Sequence, residues 1–429
     1  MSKKDLKVQN KLNGHRIRRR FSASFLLEGE GDFVHILKGQ AYTCTKSAKR
    51  TWGGNMRRIC VIITLLIIYA SVMPIPTYAK MNSNVSARNA VLMEQHSGRV
   101  LYGKAEHEPQ KIASITKIMT ALLAAESGKM KERVLVSNEA VRVEGSAIYL
   151  KPGQKVKLED LVYGLMLRSG NDAAQVIAEN VGGSIEGFVY LMNEKAKQIG
   201  MKDTHFSNPH GLDGDGSHYS SAYDMALLTR YAMGNETFKK IFGTKTYKSD
   251  SWDYPWKNKH KLVTSYYEFA TGGKTGFTKK AGRTLVTTAS KDGLDLIVVT
   301  LSASSDWDDH MNLFDKGFDR FEQTKVLGQG ALAEITEKKY ANHVYTKNSF
   351  SVPLTEEEKK SVVLKVELDK SAKLVDGVKV GKTDVYVGNE KVGERNLFYS
   401  KRKLVATTGM YWNNVKEIFS YMIGVGSDG

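Results

Sequence analysis

Three short motifs, far apart in the sequence but chemically complementary, constrain this 429-residue chain more than any other feature. They are SITK at 114–117, SGN at 169–171 and KTG at 274–276. Taken singly, each motif is explained as well by a helix cap, a helix-entry loop or a strand edge. Together, and in this order, they predict a fold that brings a nucleophilic serine, a serine–asparagine pair and a lysine-bearing strand into one cleft.

The first motif lies at the start of a predicted helix. Ser114 and Lys117 would be one helical turn apart on the same face, which places the lysine amine beside the serine hydroxyl. Serine becomes nucleophilic when a base takes its proton, and a lysine can do this if burial and a second cation, such as Lys274, lower its pKa. Gly128 is a suitable residue to end this helix at its C-terminus. Apolar residues recur at helical spacing at Ile115, Ile118, Met119, Leu122 and Leu123.

From about Val85 to Gln323 the sequence resembles low-molecular-mass penicillin-binding proteins, the D-alanyl-D-alanine carboxypeptidases. WDDH at 307–310 is most similar to sporulation-associated members. The middle motif reads Ser-Gly-Asn instead of the broader Ser-Asp-Asn pattern, as it does in carboxypeptidases of this family. Further matching segments are SGRVLY near residue 97, EGSAIYL at 144–150, GLMLRSGNDAA at 164–174, NPHGLD at 208–213, SSAYDMALL at 220–228 and RTLVTTASKDG at 283–293.

The resemblance implies a β-lactamase/transpeptidase-like fold of the α/β (α+β) class and a catalytic role for four residues. It implies that Ser114 is the nucleophile and Lys117 its general base. Ser169 would pass a proton to the leaving D-alanine, and Asn171 would orient the substrate amide and Lys117. The implied reaction is removal of the terminal D-alanine from peptidoglycan stem peptides through an acyl-enzyme, without a metal or organic cofactor.

The resemblance also implies a substrate-binding strand. Lys274 and Thr275, followed by Gly276, would hold the terminal carboxylate of D-Ala-D-Ala, or that of a β-lactam antibiotic, which would acylate the enzyme. The backbone N–H groups of Ser114 and Phe277 would form the oxyanion hole. A strand in this position can also pair with an extended peptide through main-chain hydrogen bonds.

Two other functions share these motifs. A serine β-lactamase needs fast deacylation, which class A enzymes achieve with a glutamate in an ExxLN-like loop; no such string occurs, and Glu159 lies in the wrong context, before Ser169. A non-catalytic penicillin-sensing or wall-binding protein is the second alternative. Hydrolysis of a D-Ala-D-Ala peptide separates both from the carboxypeptidase.

The N-terminal segment predicts export, and the family resemblance implies a location at the outer face of the cytoplasmic membrane, in the cell wall or in a forespore envelope. A basic start at 56–58, an apolar run and a cleavage position after Ala79 are typical of a signal peptide at 56–79. An uncleaved transmembrane anchor is the alternative, but Pro74 and Pro76 interrupt the run. Residues 1–55 are predicted to be a non-native upstream leader, with a genuine basic leader as the alternative.

Charge and cysteine content exclude other classes of function. Residues 1–79 carry 14 Lys and Arg against 4 Asp and Glu, so 10 of the 17 net positive charges lie there and the remaining 350 residues carry 7. That mild excess is no nucleic-acid signature. Cys44 and Cys60 both precede the predicted cleavage position, so the exported chain has no disulfide. His205 and His210 are interpreted as structural histidines.

Three regions are predicted after residue 79: a catalytic domain at 80–324, a small antiparallel β domain at 325–403 and a tail at 404–429. In the first, hairpins are predicted around 96–98 and 291–293. Helices are predicted at 158–168, 172–181, 186–199, 221–233 and 309–323.

The tail is predicted to be an amphipathic helix lying on the membrane surface. Tyr411, Val415, Ile418 and Met422 recur at helical spacing, and basic residues lie nearby. Packing on the β domain is the alternative.

Overall fold

The structure is a computed structural model that describes residues 81, 83–214, 216–332, 335 and 337–404, together with the backbone of 417–423. The predicted leader and signal peptide lie outside these residues. Within the described part of the chain, no helix combines the length and the apolar character needed to cross a membrane.

A five-stranded antiparallel sheet organises the described residues up to 320. Both predicted hairpins are present and lie in this sheet, in the order β2-β1-β9-β8-β7. The strands are β1 (Asn89–Glu94), β2 (Val100–Lys104), β3 (Arg133–Leu135), β4 (Lys155–Lys157), β5 (Thr246–Tyr247), β6 (Trp256–Lys257), β7 (Ala270–Thr278), β8 (Gly282–Lys291) and β9 (Leu294–Ala303). The pairs β3–β4 and β5–β6 form separate small hairpins.

The sheet is apolar on both faces, because successive side chains of a strand point in opposite directions. In the central strand β9, Ile297 and Val299 belong to one core cluster, while Leu296 and Val298 belong to another. All four are completely buried. The sequence of β9 therefore reads as a continuous apolar run, as expected for a strand covered on both sides.

Helices cover both faces of the sheet. Most of the predicted helices are present. The helix predicted at 158–168 changes to a π turn at Gly164–Arg168, and the last helix begins at Asp306 and ends at Arg320 because a strand follows it. The seven-residue helix Glu236–Phe242 was not predicted, since it is too short to show a period. The helices are α1 (Lys117–Glu126), α2 (Leu158–Tyr163), α3 (Asn171–Gly182), α4 (Ile185–Ile199), α5 (Ala222–Ala232), α6 (Glu236–Phe242) and α7 (Asp306–Arg320).

Helix α1 is the buried helix predicted from the first motif. Ile115, Ile118 and Leu122 have no exposed surface and belong to the larger core cluster. The chain leaves the helix at Gly128, whose φ of 74° lies in the left-handed region that glycine adopts without strain.

A second, β-rich unit follows α7, as predicted. In its strand Val362–Asp369, alternate residues from Val362 to Leu368 are buried in a core that belongs to this unit. Its strands are β10 (Glu322–Leu327), β11 (Gly330–Ala331), β12 (Val344–Thr346), β13 (Phe350–Leu354), β14 (Val362–Asp369), β15 (Lys379–Val387), β16 (Glu390–Tyr399) and β17 (Glu417–Ile423). Six of them form a sheet in the order β11-β12-β16-β15-β14-β17, and β10 pairs with β13.

The prediction of a C-terminal membrane helix is wrong for residues 417–423, which the structure describes. Residues Glu417–Ile423 form a strand that pairs in parallel with β14, from Val363 to Asp369. The run EIFSYMI is rich in residues that favour strands, and pairing satisfies the N–H and C=O groups on the outer edge of β14. The rest of the predicted helix lies outside the described residues.

A buried ion pair links the two units. The Arg99 Nη2 atom lies 2.6 Å from Glu358 Oε1, and Nη1 donates to the Pro353 carbonyl at 2.5 Å. The two charged side chains are 5% and 13% exposed. Charges this poorly solvated depend on each other, so removal of one leaves the other uncompensated.

We therefore expect Arg99→Met to lower the free energy of unfolding by about 3 kcal/mol. The matched control is Lys197→Met, which breaks the exposed pair with Glu194 and should cost less than about 1 kcal/mol. Chemical denaturation of both variants measures the difference. Equal losses in the two variants would contradict this account of the Arg99 pair.

Candidate active site

The three motifs converge on one cleft of about 580 Å³. Ser114 lies on the 3₁₀ turn Ala113–Thr116 that leads into α1. Ser169 follows the π turn after α2, and Thr275 lies on the edge strand β7. The cleft is lined by Ser114, Ser146, Ser169, Lys259, Thr275, Gly276, Phe277, Arg283, Asp306 and Trp307.

The Lys117 amine lies directly behind the Ser114 hydroxyl. Its Nζ atom is 2.9 Å from Ser114 Oγ, 2.7 Å from Asn171 Oδ1 and 2.8 Å from the His210 carbonyl oxygen. The last two atoms can only accept hydrogen bonds. A neutral amine can donate its two N–H groups to these oxygens, and its lone pair then points to the Ser114 hydroxyl.

The surroundings of Lys117 favour that neutral form. The residue has no exposed surface. Burial lowers its pKa well below the ordinary value for lysine, and the positive charges of Lys274 and Lys259 lower it further. A lysine of lowered pKa can accept a proton near neutral pH, as a general base must.

Lys274 and Ser169 form a second buried pair. Lys274 Nζ donates to Ser169 Oγ at 3.0 Å and to the Thr275 carbonyl at 2.7 Å. Burial, with the charge of Lys259, lowers the pKa of Lys274 to about 7. This amine can therefore gain or lose a proton under physiological conditions, next to a hydroxyl that faces the cleft.

Asn171 and Asp172 fix the wall formed by residues 144–150. Asn171 Nδ2 donates to the Glu144 carbonyl at 2.5 Å, which leaves Oδ1 for Lys117. The buried Asp172 carboxylate accepts the N–H groups of Ile148 and Leu150. These partners of Asp172 lie far away in the sequence and give no local signal.

Gly276 allows β7 to approach Ser114 closely. A Cβ atom at this position would lie 2.9 Å from the Ser114 nitrogen and 2.4 Å from Thr284 Oγ1, so a side chain would push the strand away. Neighbouring Thr275 and Phe277 line the cleft, and the Phe277 side chain is 66% exposed. The motif thus places strand backbone against the start of α1.

Sequence reasoning gave no role to several cleft residues, among them Lys259, Arg283 and Trp307. Lys259, next to Ser146, affects the pKa of both buried lysines. Arg283 pairs with Asp306 and lies over the Trp307 ring, 5.7 Å from its centre. Trp307 belongs to the WDDH segment, which was noted only for its resemblance. None of the three lies in a catalytic motif, so their position depends on the folded sheet.

The geometry gives no support to deacylation assisted by a glutamate, as in class A β-lactamases. Glu159 lies at the start of α2, pairs with Lys157 and does not line the cleft. The carboxylate that lines it is Asp306, which is occupied by Arg283. The described residues therefore offer no free carboxylate there to activate water in the manner of a class A β-lactamase.

Comparison with known proteins agrees with the fold and places the chain in a family. Residues 76–305 match the D-alanyl-D-alanine carboxypeptidase family, peptidase family S11, and residues 321–404 match the C-terminal domain of penicillin-binding protein 5. The chain is 40% identical to D-alanyl-D-alanine carboxypeptidase DacF of Bacillus subtilis over 226 residues, 51% of this chain and 58% of DacF.

Longer matches cover both units. D-alanyl-D-alanine carboxypeptidase DacD of Escherichia coli K12 is 31% identical over 340 residues, 75% of this chain and 84% of DacD. The chain is also similar to penicillin binding protein 5 from Haemophilus influenzae, with 27% sequence identity. Its crystal structure matches this one with a TM-score of 0.65, over 76% of this chain and 99% of that chain.

Fold and site define a serine enzyme of the penicillin-binding class. Within that class, the chain belongs to the D-alanyl-D-alanine carboxypeptidase family of serine peptidases. The family and the fold predicted from the three motifs are thereby confirmed.

Lys259 generates a prediction about pH. Its positive charge disfavours protonation of Lys117, so Lys259→Gln should raise the pKa of Lys117. Because the base must be neutral to act, the acidic limb of the profile of kcat/KM against pH should move to higher pH, and activity at neutral pH should fall. Steady-state hydrolysis of a D-Ala-D-Ala peptide across pH measures this.

Lys259→Arg is the matched control, because it keeps the positive charge at this position. Its acidic limb should stay near that of the wild type. A Lys259→Gln profile that fell in height without moving along the pH axis would contradict an electrostatic role.

Proposed function

We propose that this protein removes the terminal D-alanine from peptidoglycan stem peptides, with Ser114 as the nucleophile and Lys117 as its general base. The observation that carries the proposal is the 2.9 Å contact between Lys117 Nζ and Ser114 Oγ, with carbonyl oxygens at the amine's other two contacts. The substrate class comes from the family to which the chain belongs.

In the first step, Lys117 takes the Ser114 proton while Oγ attacks the carbonyl carbon of the D-Ala-D-Ala bond. The carbonyl oxygen becomes an oxyanion, which we assign to the backbone N–H groups of Ser114 and Phe277. Donors preorganised in this way lower the barrier because they meet the charge as it develops.

In the second step, the C–N bond breaks and D-alanine leaves as an amine that needs a proton. We assign delivery of this proton to the Ser169 hydroxyl, which lies 3.0 Å from Lys274 Nζ and faces the cleft. A group with a pKa of about 7 behind that hydroxyl can replace the proton. Water then attacks the ester carbonyl carbon, and a proton of that water restores Lys274 through Ser169. Lys117 returns its proton to Ser114 Oγ as the ester bond breaks and the shortened peptide leaves.

The substrate's terminal carboxylate fits the positively charged end of the cleft. Lys274 is 1% exposed and already donates to Ser169 and Thr275, so it attracts the carboxylate mainly through its charge. We assign direct contact to the Thr275 hydroxyl on the cleft wall. A β-lactam carries an equivalent carboxylate and should acylate Ser114, forming an ester that hydrolyses slowly.

We also propose that the protein acts outside the cytoplasmic membrane. The support is the signal-peptide pattern at 56–79 and the substrate, which belongs to the cell wall. A role in spore-cortex peptidoglycan rests on the resemblance of WDDH at 307–310 to sporulation-associated members. Unchanged cortex stem peptides in a strain lacking the gene would contradict that role.

The direct test follows D-alanine release from a diacyl-Lys-D-Ala-D-Ala peptide by the chain from residue 80. We expect turnover by the wild type and none by Ser114→Ala, because the acyl-enzyme cannot form. Labelling with a fluorescent penicillin should disappear in the same variant.

Thr229→Val is the control variant, since this buried hydroxyl binds the carbonyl of Met225 in α5 and lies outside the cleft. It should keep both activities. Penicillin labelling without D-alanine release would contradict the carboxypeptidase and favour a transpeptidase or a penicillin sensor.

A further inference from the structure

The backbone immediately before the nucleophile is held in an unusual conformation. Ala113 has a φ of 48°, in the left-handed region that disfavours side chains, although it is an alanine and is 1% exposed. Such a conformation is strained and persists only where the surroundings impose it. Around Ala113, side-chain hydroxyls bind the backbone.

Two buried threonines bind the two carbonyl groups that precede Ser114. Thr284, on β8, donates from Oγ1 to the Ile112 carbonyl at 2.9 Å. Thr116 donates from Oγ1 to the Ala113 carbonyl at 2.8 Å. Neither threonine has exposed surface. The chain before Ser114 is thus held by side chains from the sheet and from its own turn.

His218 orients the Thr116 hydroxyl. Its Nε2 atom lies 2.7 Å from Thr116 Oγ1, and its Nδ1 atom accepts the Ser207 N–H at 3.1 Å. Because Nδ1 is an acceptor, a neutral His218 carries its proton on Nε2 and donates it to Thr116. Burial lowers the pKa of His218 to about 3, so the ring stays neutral in the physiological range. The Thr116 proton is then directed to Ala113.

Gly211 closes the other side of the same carbonyl. A Cβ atom on Gly211 would lie 1.9 Å from the Ala113 oxygen, so the loop backbone packs directly against it. A peptide group is planar, and its C=O and N–H point in opposite directions. Fixing the Ala113 carbonyl therefore fixes the direction of the Ser114 N–H.

We propose that Thr116, oriented by His218, is a positioning residue that holds the Ala113–Ser114 peptide plane so that the Ser114 N–H meets the oxyanion. This proposal rests on the proposed function, in which that N–H is an oxyanion-hole donor. Thr116 has no substrate contact in this account. It acts through the rigid peptide group between itself and the reacting atoms.

The test compares Thr116→Val, which has nearly the same shape but no hydroxyl, with Thr116→Ser, which keeps the hydroxyl. Thr116→Val should lower the rate constant of acylation by benzylpenicillin about tenfold or more, with little change in the preceding non-covalent affinity. Affinity for a peptide boronic acid, which forms a tetrahedral adduct with serine, should fall by a similar factor. Thr116→Ser should stay within about threefold of the wild type.

Thr229→Val controls for the loss of a buried threonine hydroxyl elsewhere and should acylate normally. His218→Gln, whose amide nitrogen can replace Nε2 as a donor, should acylate faster than His218→Leu. Normal acylation by Thr116→Val would overturn the proposal, and so would equal losses in Thr116→Val and Thr116→Ser. Absence of D-alanine release by the wild type would overturn the proposed function instead, since the acylation comparison does not depend on it.

Discussion

The protonation state of the Lys117 amine is the constraint on which the rest of the site depends. A charged ammonium without exposed surface loses several kcal/mol of hydration, whereas a neutral amine with both N–H groups bonded to carbonyl oxygens loses little. Asn171 and His210 supply those oxygens. The same hydrogen bonds that make the lysine tolerable in the core also direct its lone pair to Ser114, so the proposed activation of Ser114 follows from the way Lys117 is buried.

The fold assembles this arrangement from distant segments. The sheet places β7 at its edge, and the helical insertion between β2 and β7 supplies Ser114, Ser169 and Asn171. Gly276 lets the edge strand approach the start of α1 within van der Waals contact. Because each group is held by a different element, small shifts in packing far from the cleft alter the geometry at Ser114. Buried threonines such as Thr116 and Thr284 reduce that freedom.

The sequence predicted the parts of the structure that have a local cause. The period of apolar residues predicted α1, and alternation with turn residues predicted the β1–β2 and β8–β9 hairpins. The convergence of the three motifs could also be predicted, because their chemistry is useful only together. The catalytic roles of Ser114, Lys117, Ser169 and Asn171 remain predictions that their positions support.

The features that the sequence did not predict depend on long-range contacts, or on residue patterns that fit two kinds of secondary structure. Lys259 and Arg283 reach the cleft only through tertiary packing and lie in no motif. The Asp172 carboxylate binds backbone N–H groups more than twenty residues away in sequence, a contact that has no local signal. At 417–423, the same aromatic and β-branched residues fit either an amphipathic helix or a strand. These residues form a strand because they pair with the edge of β14.

The most direct measurement of the central claim is the pKa of Lys117 itself. Carbon-13 labelling at the lysine Cε position, with the signal assigned through its loss in Lys117→Met, allows NMR titration of this amine in the free enzyme. We predict a pKa well below the ordinary value near 10.5. A Lys117 signal that stayed protonated up to pH 10 would contradict its role as the base and require another group to activate Ser114.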